Sequence, residues 1–188
     1  MKGKIAAIWG VLGVCLLLGS AVYRLGLRGL EAFSYPLTAF HWITLIVGVV
    51  FMAYSEGYKG FQKSFSPRVA ARARYLWERA DLYETILAPF FLMGYIRATR
   101  RRKLVSYSLT AGIVTLVLLV RLLPTPWRQI IDIGVVVGLS WGLASFLVFL
   151  GLAFFSESFV ESPELPEDAT GGSKSRQLSG ERIADSVG

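Results

Sequence analysis

Five long, mainly apolar runs constrain this chain more than any other feature. They cover residues 5–23, 37–54, 82–96, 104–123 and 130–155. A helix needs about 20 apolar residues to cross a hydrocarbon core of ~30 Å. Only 18% of the 188 residues are charged, whereas about 25% are charged in a soluble domain. The sequence therefore predicts an all-α, multi-pass integral membrane protein.

The third run, 82–96, decides the number of spans. It is short, contains Glu84 and Pro89, and ends at Arg97, which is typical of an interfacial or re-entrant segment. If it spans, the 20 basic residues divide equally between the two membrane faces; if it does not, 16 lie on the cytoplasmic face and 4 outside. The positive-inside rule favours the second arrangement. We therefore predict a four-helix transmembrane bundle in the inner membrane with both termini cytoplasmic, and five spans as the alternative.

The charge pattern divides the chain into a membrane domain, 1–156, and a tail, 157–188. The domain has a balance of +11 and the tail one of −4. The tail is rich in proline, glycine and serine, and we expect it to be disordered and cytoplasmic. The first run also resembles a signal peptide, with Lys2 and Lys4 before it. An uncleaved helix is the preferred interpretation, because full-length spans follow it.

A basic cytoplasmic segment joins the second and fourth runs. Ser66-Pro67 has the form of a helix start, and apolar residues then recur at helical spacing up to Trp77. We predict cytoplasmic amphipathic helices over about 67–96, lying on the membrane with arginines near anionic head groups. No aromatic–basic module accompanies these charges, so no nucleic-acid partner is expected. The predicted lipid- or partner-binding surface consists of Arg68, Arg72, Arg79, Arg100, Arg101, Arg102 and Lys103.

Small residues recur at intervals of four in the spans. Gly134, Gly138 and Gly142 form a GxxxGxxxG pattern on one face of the last run, which lets another helix approach closely. That helix belongs either to a membrane-protein partner or second copy, or to this chain itself, and both interpretations stay open. Similar pairs in the other spans are Ala6 with Gly10, Thr44 with Gly48, and Ser108 with Gly112.

Three polar residues are candidates for function. His41, the single histidine, is either a hydrogen-bonded interfacial residue or a haem ligand or proton carrier. Glu56 opens a linker of glycines, aromatics and charges that ends at Pro67, which is either a recognition surface or an interface-anchored turn. Asp132 is expected on the same membrane face as several charges, either as part of a small-ligand or ion site or as a rim charge. Those neighbouring residues are Arg24, Arg28, Glu31, His41, Arg121 and Arg128.

The sequence offers little for catalysis. It has no GxSxG elbow, HExxH motif or P-loop, and its single histidine and single cysteine, Cys15, exclude paired metal ligands of those types. We therefore expect a non-enzymatic accessory, assembly or interaction subunit without a metal or cofactor. The alternatives are a small passive transporter or channel subunit, and a haem- or quinone-linked redox subunit that uses His41. Coupled transport is disfavoured, because no ionisable residue falls near the expected middle of a span.

Overall fold

The computed structural model describes residues 2–79 and 81–156, and every regular element in this part is helical. A 3-10 turn covers Glu31–Ser34, and a π-helical segment covers Ala53–Phe65. The seven α-helices are α1 Lys2–Leu30, α2 Ala39–Met52, α3 Ser66–Arg79, α4 Leu82–Ile86, α5 Ala88–Leu92, α6 Arg100–Arg121 and α7 Trp127–Phe155.

Four helical stretches among the described residues are long and apolar enough to cross a membrane. They are Gly3–Ser34, Ala39–Glu78, Lys103–Arg121 and Trp127–Phe155. This confirms the all-helical class and the four candidate spans that the apolar runs predict. The predicted disordered tail, 157–188, lies outside the described residues.

Three long helices form the centre of the bundle. These are α1, α7 and the continuous helix that runs through α2, the π segment and α3. His41 contacts Trp127 at one end of this group, and Trp77 contacts Phe154 at the other. The long helix therefore runs parallel to α7. The start of α1, at Gly3, lies against Trp77 near the end of the long helix. Helix α1 therefore runs antiparallel to both the long helix and α7.

We name the two ends of the bundle after the predicted topology. The outer end is where α1 ends and α7 begins, with Arg28 and Arg128. The inner end is where α1 begins and α7 ends, with Gly3 and Phe154.

The third apolar run does not form one continuous helix. It is broken into α4 and α5, of five residues each, around Leu87 and Pro89. A straight helix would separate Glu84 from Arg97 by roughly 20 Å, yet their side chains form a salt bridge of 2.6 Å. The run therefore folds back on itself, and α5 packs against α1 at Gly10. The turn uses Gly94 at φ 85° and Arg97 at φ 46°.

The position of α3 differs from the amphipathic helix that the sequence predicts. The helix begins at Ser66 as expected, but it continues the preceding π segment, and its apolar face packs against α1 and α7. Val69, Ala73 and Leu76 are buried in the same core cluster as Val14 and Phe146. The apolar stripe was identified correctly, but it is covered by protein because α1 and α7 extend alongside α3.

The fourth span, α6, stands apart from the other three. It is 22 residues long and contacts α7 only slightly. Its first half is attached to the turn after α5, where Tyr95 shares a hydrogen bond with Thr110 and Ser106 donates to the carbonyl of Met93. The described side chains from Thr110 to Leu119 are all exposed. The described part of the chain is thus a three-helix core with a loosely attached fourth helix.

Candidate functional site

The glycine face of α7 is covered by this chain's own long helix. A Cβ atom at Gly134 would lie 3.2 Å from Met52, and one at Gly138 would lie 3.2 Å from Glu56. At Gly142 it would lie 2.5 Å from the Phe61 ring. Because these contacts occupy the whole GxxxGxxxG face, the structure uses it for packing within one chain.

The remaining small-residue positions have different surroundings. Gly10 packs against Ala88 and Leu92. The carbonyl group of Gly48 lies beside Gly134, but a Cβ atom at Gly48 itself would meet nothing within 4 Å. A Cβ atom at Gly112 would meet nothing within 4 Å, and Ser108 beside it is exposed. The Ser108–Gly112 face of α6 is therefore uncovered in the described part of the chain.

Glu56 lies deeper in the bundle than the sequence suggests. Its side chain packs against Gly138, the twelfth of the 29 residues of α7. The sequence predicts no ionisable residue near the middle of a span, whereas the structure places Glu56 beside Gly138, near the middle of the candidate span α7. That prediction took the second apolar run to end at Tyr54, but the π segment continues the same helix along α7.

The segment that contains Glu56 is π-helical over 13 residues. Such helices are rare, and they occur frequently at functional sites. Gly57 lies against the ring of Trp141, whose indole N–H donates to Gln62 Oε1 across 2.8 Å. Further along, Ser66 and Ser145 share a buried hydrogen bond of 3.0 Å. The segment that sequence reasoning singled out is thus a helix–helix contact surface on its α7 side.

The exposed side of the π segment combines aromatic and basic groups. Lys59 Nζ lies 4.9 Å from the ring centre of Tyr54, and Lys63 Nζ lies 4.8 Å from that of Tyr58. The two tyrosine rings stack at 5.9 Å. These cation–π contacts hold the two lysine ammonium groups over the tyrosine rings.

The predicted basic surface is only partly exposed. Arg72 is buried, with 2% of its surface accessible, and donates to the carbonyl oxygens of Phe91, Ile96 and Arg97. Its assignment to a lipid- or partner-binding surface is not what the structure shows, because the fold-back of the third run places those carbonyl groups over α3. Arg68 is half-buried, while Arg100 and Lys103 are exposed. The side chains of Arg79, Arg101 and Arg102 lie outside the described part.

His41 caps the start of α2. Its Nδ1 accepts from the backbone N–H of Thr38 at 3.1 Å and lies 3.0 Å from the Thr38 hydroxyl. The Thr38 hydroxyl in turn accepts from the backbone of His41, which completes a capping box. The ring also packs edge-on against Trp127 at 4.6 Å. These contacts agree with the interpretation of His41 as a hydrogen-bonded residue.

Asp132 belongs to a polar cavity of about 390 Å³ at the outer end. The cavity joins the last turns of α1 to the first turns of α7 and to the turn before it. Asp132 and Gln129 are each 6% exposed, and no group in the described part of the chain hydrogen-bonds to Asp132 Oδ2 or Gln129 Oε1. The polar lining consists of Arg28, Glu31, Thr125, Arg128, Gln129 and Asp132.

Sequence reasoning found only part of this cavity. It grouped Arg28, Glu31 and Arg128 with Asp132, but it also included Arg24, His41 and Arg121, which do not line the cavity. His41 caps α2 instead. It missed Gln129 and Thr125. The available signal was the spacing of three between Gln129 and Asp132, which places both side chains on one face of α7.

Comparisons of the chain with protein-family models, with curated protein sequences and with solved structures give no match. No group of three or more histidine, cysteine, aspartate or glutamate side chains in residues 2–79 and 81–156 is arranged to hold a metal ion. The functional argument therefore rests on the geometry of this chain alone.

Proposed function

We propose that this protein is a non-enzymatic accessory, assembly or interaction subunit of a membrane complex, and that α6 is the helix that contacts its partner. The observation that carries the proposal is the exposure of α6. It is an apolar helix of spanning length, and its small-residue face, Ser108 and Gly112, is uncovered.

The packing of the other helices supports the choice of α6. The glycine face of α7 is filled by Met52, Glu56 and Phe61, so it is not free to receive a partner. Helices in a membrane associate through close packing of small residues. Lipid tails are as apolar as a helix face, so the hydrophobic effect does not drive this association. Among the described spans, α6 combines a small-residue pair with few contacts inside the chain.

The proposed location is the inner membrane, with both termini cytoplasmic and the basic residues near anionic lipid. The charge balance of +11 in the membrane domain supports this orientation. Arg100 and Lys103, at the start of α6, are exposed and would lie at cytoplasmic head-group level. The fold-back of the third run supports four spans, because it returns Arg97 to the level of Glu84.

Site-specific photo-cross-linking tests the proposed contact. A photoreactive amino acid is placed at Leu116, one turn after Gly112 on α6, and separately at Ile46, an exposed residue of α2. In native membranes we expect discrete adducts from Leu116 and none from Ile46. Two epitope tags on co-expressed copies distinguish a second copy of the chain from a different membrane protein.

A matched pair of substitutions tests the small-residue face. Gly112→Leu should abolish the adduct because the added side chain prevents close approach. Gly19→Leu on α1 is the control, since a Cβ atom there also meets nothing within 4 Å. Absence of any Leu116 adduct, or equal loss with both substitutions, would contradict the proposal.

A passive transporter or channel subunit is the second candidate, and Glu56 favours it. Its carboxylate lies beside the glycine face of α7, and an ionisable residue at such a depth marks a transport pathway by default. Flux of ions and small solutes into reconstituted vesicles tests this role. Flux that Glu56→Gln reduces would support it, and flux equal to that of empty vesicles would exclude it.

A further inference from the structure

We propose that the outer cavity binds a compact zwitterion in which a primary ammonium is linked to a phosphate, as in phosphoethanolamine. The cavity of about 390 Å³ lies within the range of about 300–1,000 Å³ that is usual for small-molecule sites. The inference is independent of the partner contact at α6.

Two buried oxygens require a hydrogen-bond donor. Asp132 Oδ2 and Gln129 Oε1 have no partner in the described part of the chain, and both residues are more than nine-tenths buried. A buried acceptor without a partner destabilises the folded protein, because it has lost its hydrogen bonds to water. An ammonium group supplies several N–H donors and a positive charge for the Asp132 carboxylate, so it satisfies both oxygens at once.

Two guanidinium groups in the same cavity can bind an oxyanion. Arg28 and Arg128 both line it, and arginine binds phosphate through paired, planar hydrogen bonds. Glu31 and Asp132 balance these two charges, so the lining has no net formal charge. A ligand that carries both a positive and a negative group fits this lining better than a simple cation or anion does.

The place of the cavity in the fold indicates the source of such a ligand. Arg28 is in the last turn of α1 and Arg128 is the second residue of α7, so both lie at the ends of candidate spans. Lipid head groups occupy this level when the helices cross a membrane. The same chemistry also exists in a free phosphoethanolamine molecule, and the two sources can be separated by experiment.

The test uses the full-length protein purified in detergent and native mass spectrometry with three lipids of matched acyl chains. Phosphatidylethanolamine has a primary ammonium, phosphatidylcholine has a quaternary one without N–H donors, and phosphatidylglycerol has none. We expect phosphatidylethanolamine to bind at least about tenfold more tightly than the other two, as the loss of a charge-assisted hydrogen bond implies. Soluble O-phosphoethanolamine is added as a competitor. If it displaces the lipid, the head group alone is sufficient; if it does not, the lipid is the ligand.

Substitutions locate the binding. Asp132→Asn and Arg128→Gln should each weaken phosphatidylethanolamine binding about tenfold. Arg121→Gln is the matched control, because Arg121 is exposed near the outer end and does not line the cavity. Arg28, on α1, is more accessible than Asp132. The Arg28→Gln protein therefore keeps the test decisive if Asp132→Asn fails to fold.

Three results would overturn the inference. The first is equal retention of the three lipids, which would mean that the cavity does not recognise the primary ammonium group. The second is unchanged binding in a folded Arg28→Gln or Arg128→Gln protein. The third is a loss in Arg121→Gln as large as that in Arg128→Gln, which would indicate a general effect of surface charge.

Discussion

Arg97 and Glu84 lie thirteen residues apart in the chain, and the Arg97 guanidinium nevertheless donates to the Glu84 carboxylate across 2.6 Å. Glu84 is almost fully buried, and its other oxygen accepts from the backbone N–H of Asp81. This ion pair closes the fold-back of the third apolar run, and Arg72 holds the same turn from α3. A stretch that resembles a fifth span is thereby kept as a folded-back pair of short helices.

Loss of the buried carboxylate charge should destabilise this fold-back. Glu84→Gln is expected to lower the free energy of unfolding by about 1.5–3 kcal/mol, because the buried side chain loses a charge-assisted hydrogen bond. An SDS titration of the purified protein in mixed micelles measures this change. The matched control is Glu78→Gln, which removes an exposed pair with Arg74 at 3.5 Å and should cost less than about 0.5 kcal/mol. Equal effects of the two changes would mean that the buried pair does not hold the turn.

The four-span arrangement predicts which exposed residues share a membrane face. The single cysteine, Cys15, can be replaced by serine, and new cysteines can then be placed one at a time at Glu31, Lys63, Arg100 or Leu122. A membrane-impermeant maleimide should label positions 31 and 122 in intact cells. Positions 63 and 100 should react only after permeabilisation. Labelling of 63 and 100 from opposite faces would favour five spans.

Substitution at Gly142 should weaken the contact between α7 and the π segment. In Gly142→Ala the new Cβ atom would lie 2.5 Å from the Phe61 ring, and such overpacking costs about 1–3 kcal/mol. Gly151→Ala on the same helix meets nothing within 4 Å, so it should be neutral or stabilising by up to ~1 kcal/mol. Unfolding titrations in mixed micelles compare the two. A stabilised Gly142→Ala protein would show that the two helices are not packed closely there.

Substitution at His41 separates a cap from a cofactor ligand. His41→Ala should cost about 1 kcal/mol, because the backbone N–H of Thr38 loses its acceptor. His41→Gln keeps a side-chain acceptor at the third helical position, where glutamine is a usual capping-box residue, and should retain most of the stability. The absorption spectrum provides the second readout. A Soret band in the wild-type protein that disappears in His41→Gln would establish the haem alternative.

The helices could be predicted from the sequence because apolar length and hydrogen bonding within a helix are local properties. The four candidate spans and the helix start at Ser66 both follow from short stretches of sequence. The surroundings of Glu56 and Arg72 could not be predicted in this way. Each depends on contacts with residues far away in the chain, Gly138 for the first and Phe91 for the second.

The sequence by itself determined that this chain is helical, that it has four apolar helices of spanning length, and that its basic residues flank them. It also located the small-residue faces, because spacing of four on a helix defines a face. Only the tertiary structure decided that the α7 face is covered by the chain's own long helix while the α6 face is open. It alone added Gln129 and Thr125 to the group that Arg28 and Asp132 form at the outer end. The physical reason is that the residue spacing within one helix determines the chemical character of each of its faces. Which other helix covers a face depends on the path of the whole chain, because each of the other helices can continue or end beside it.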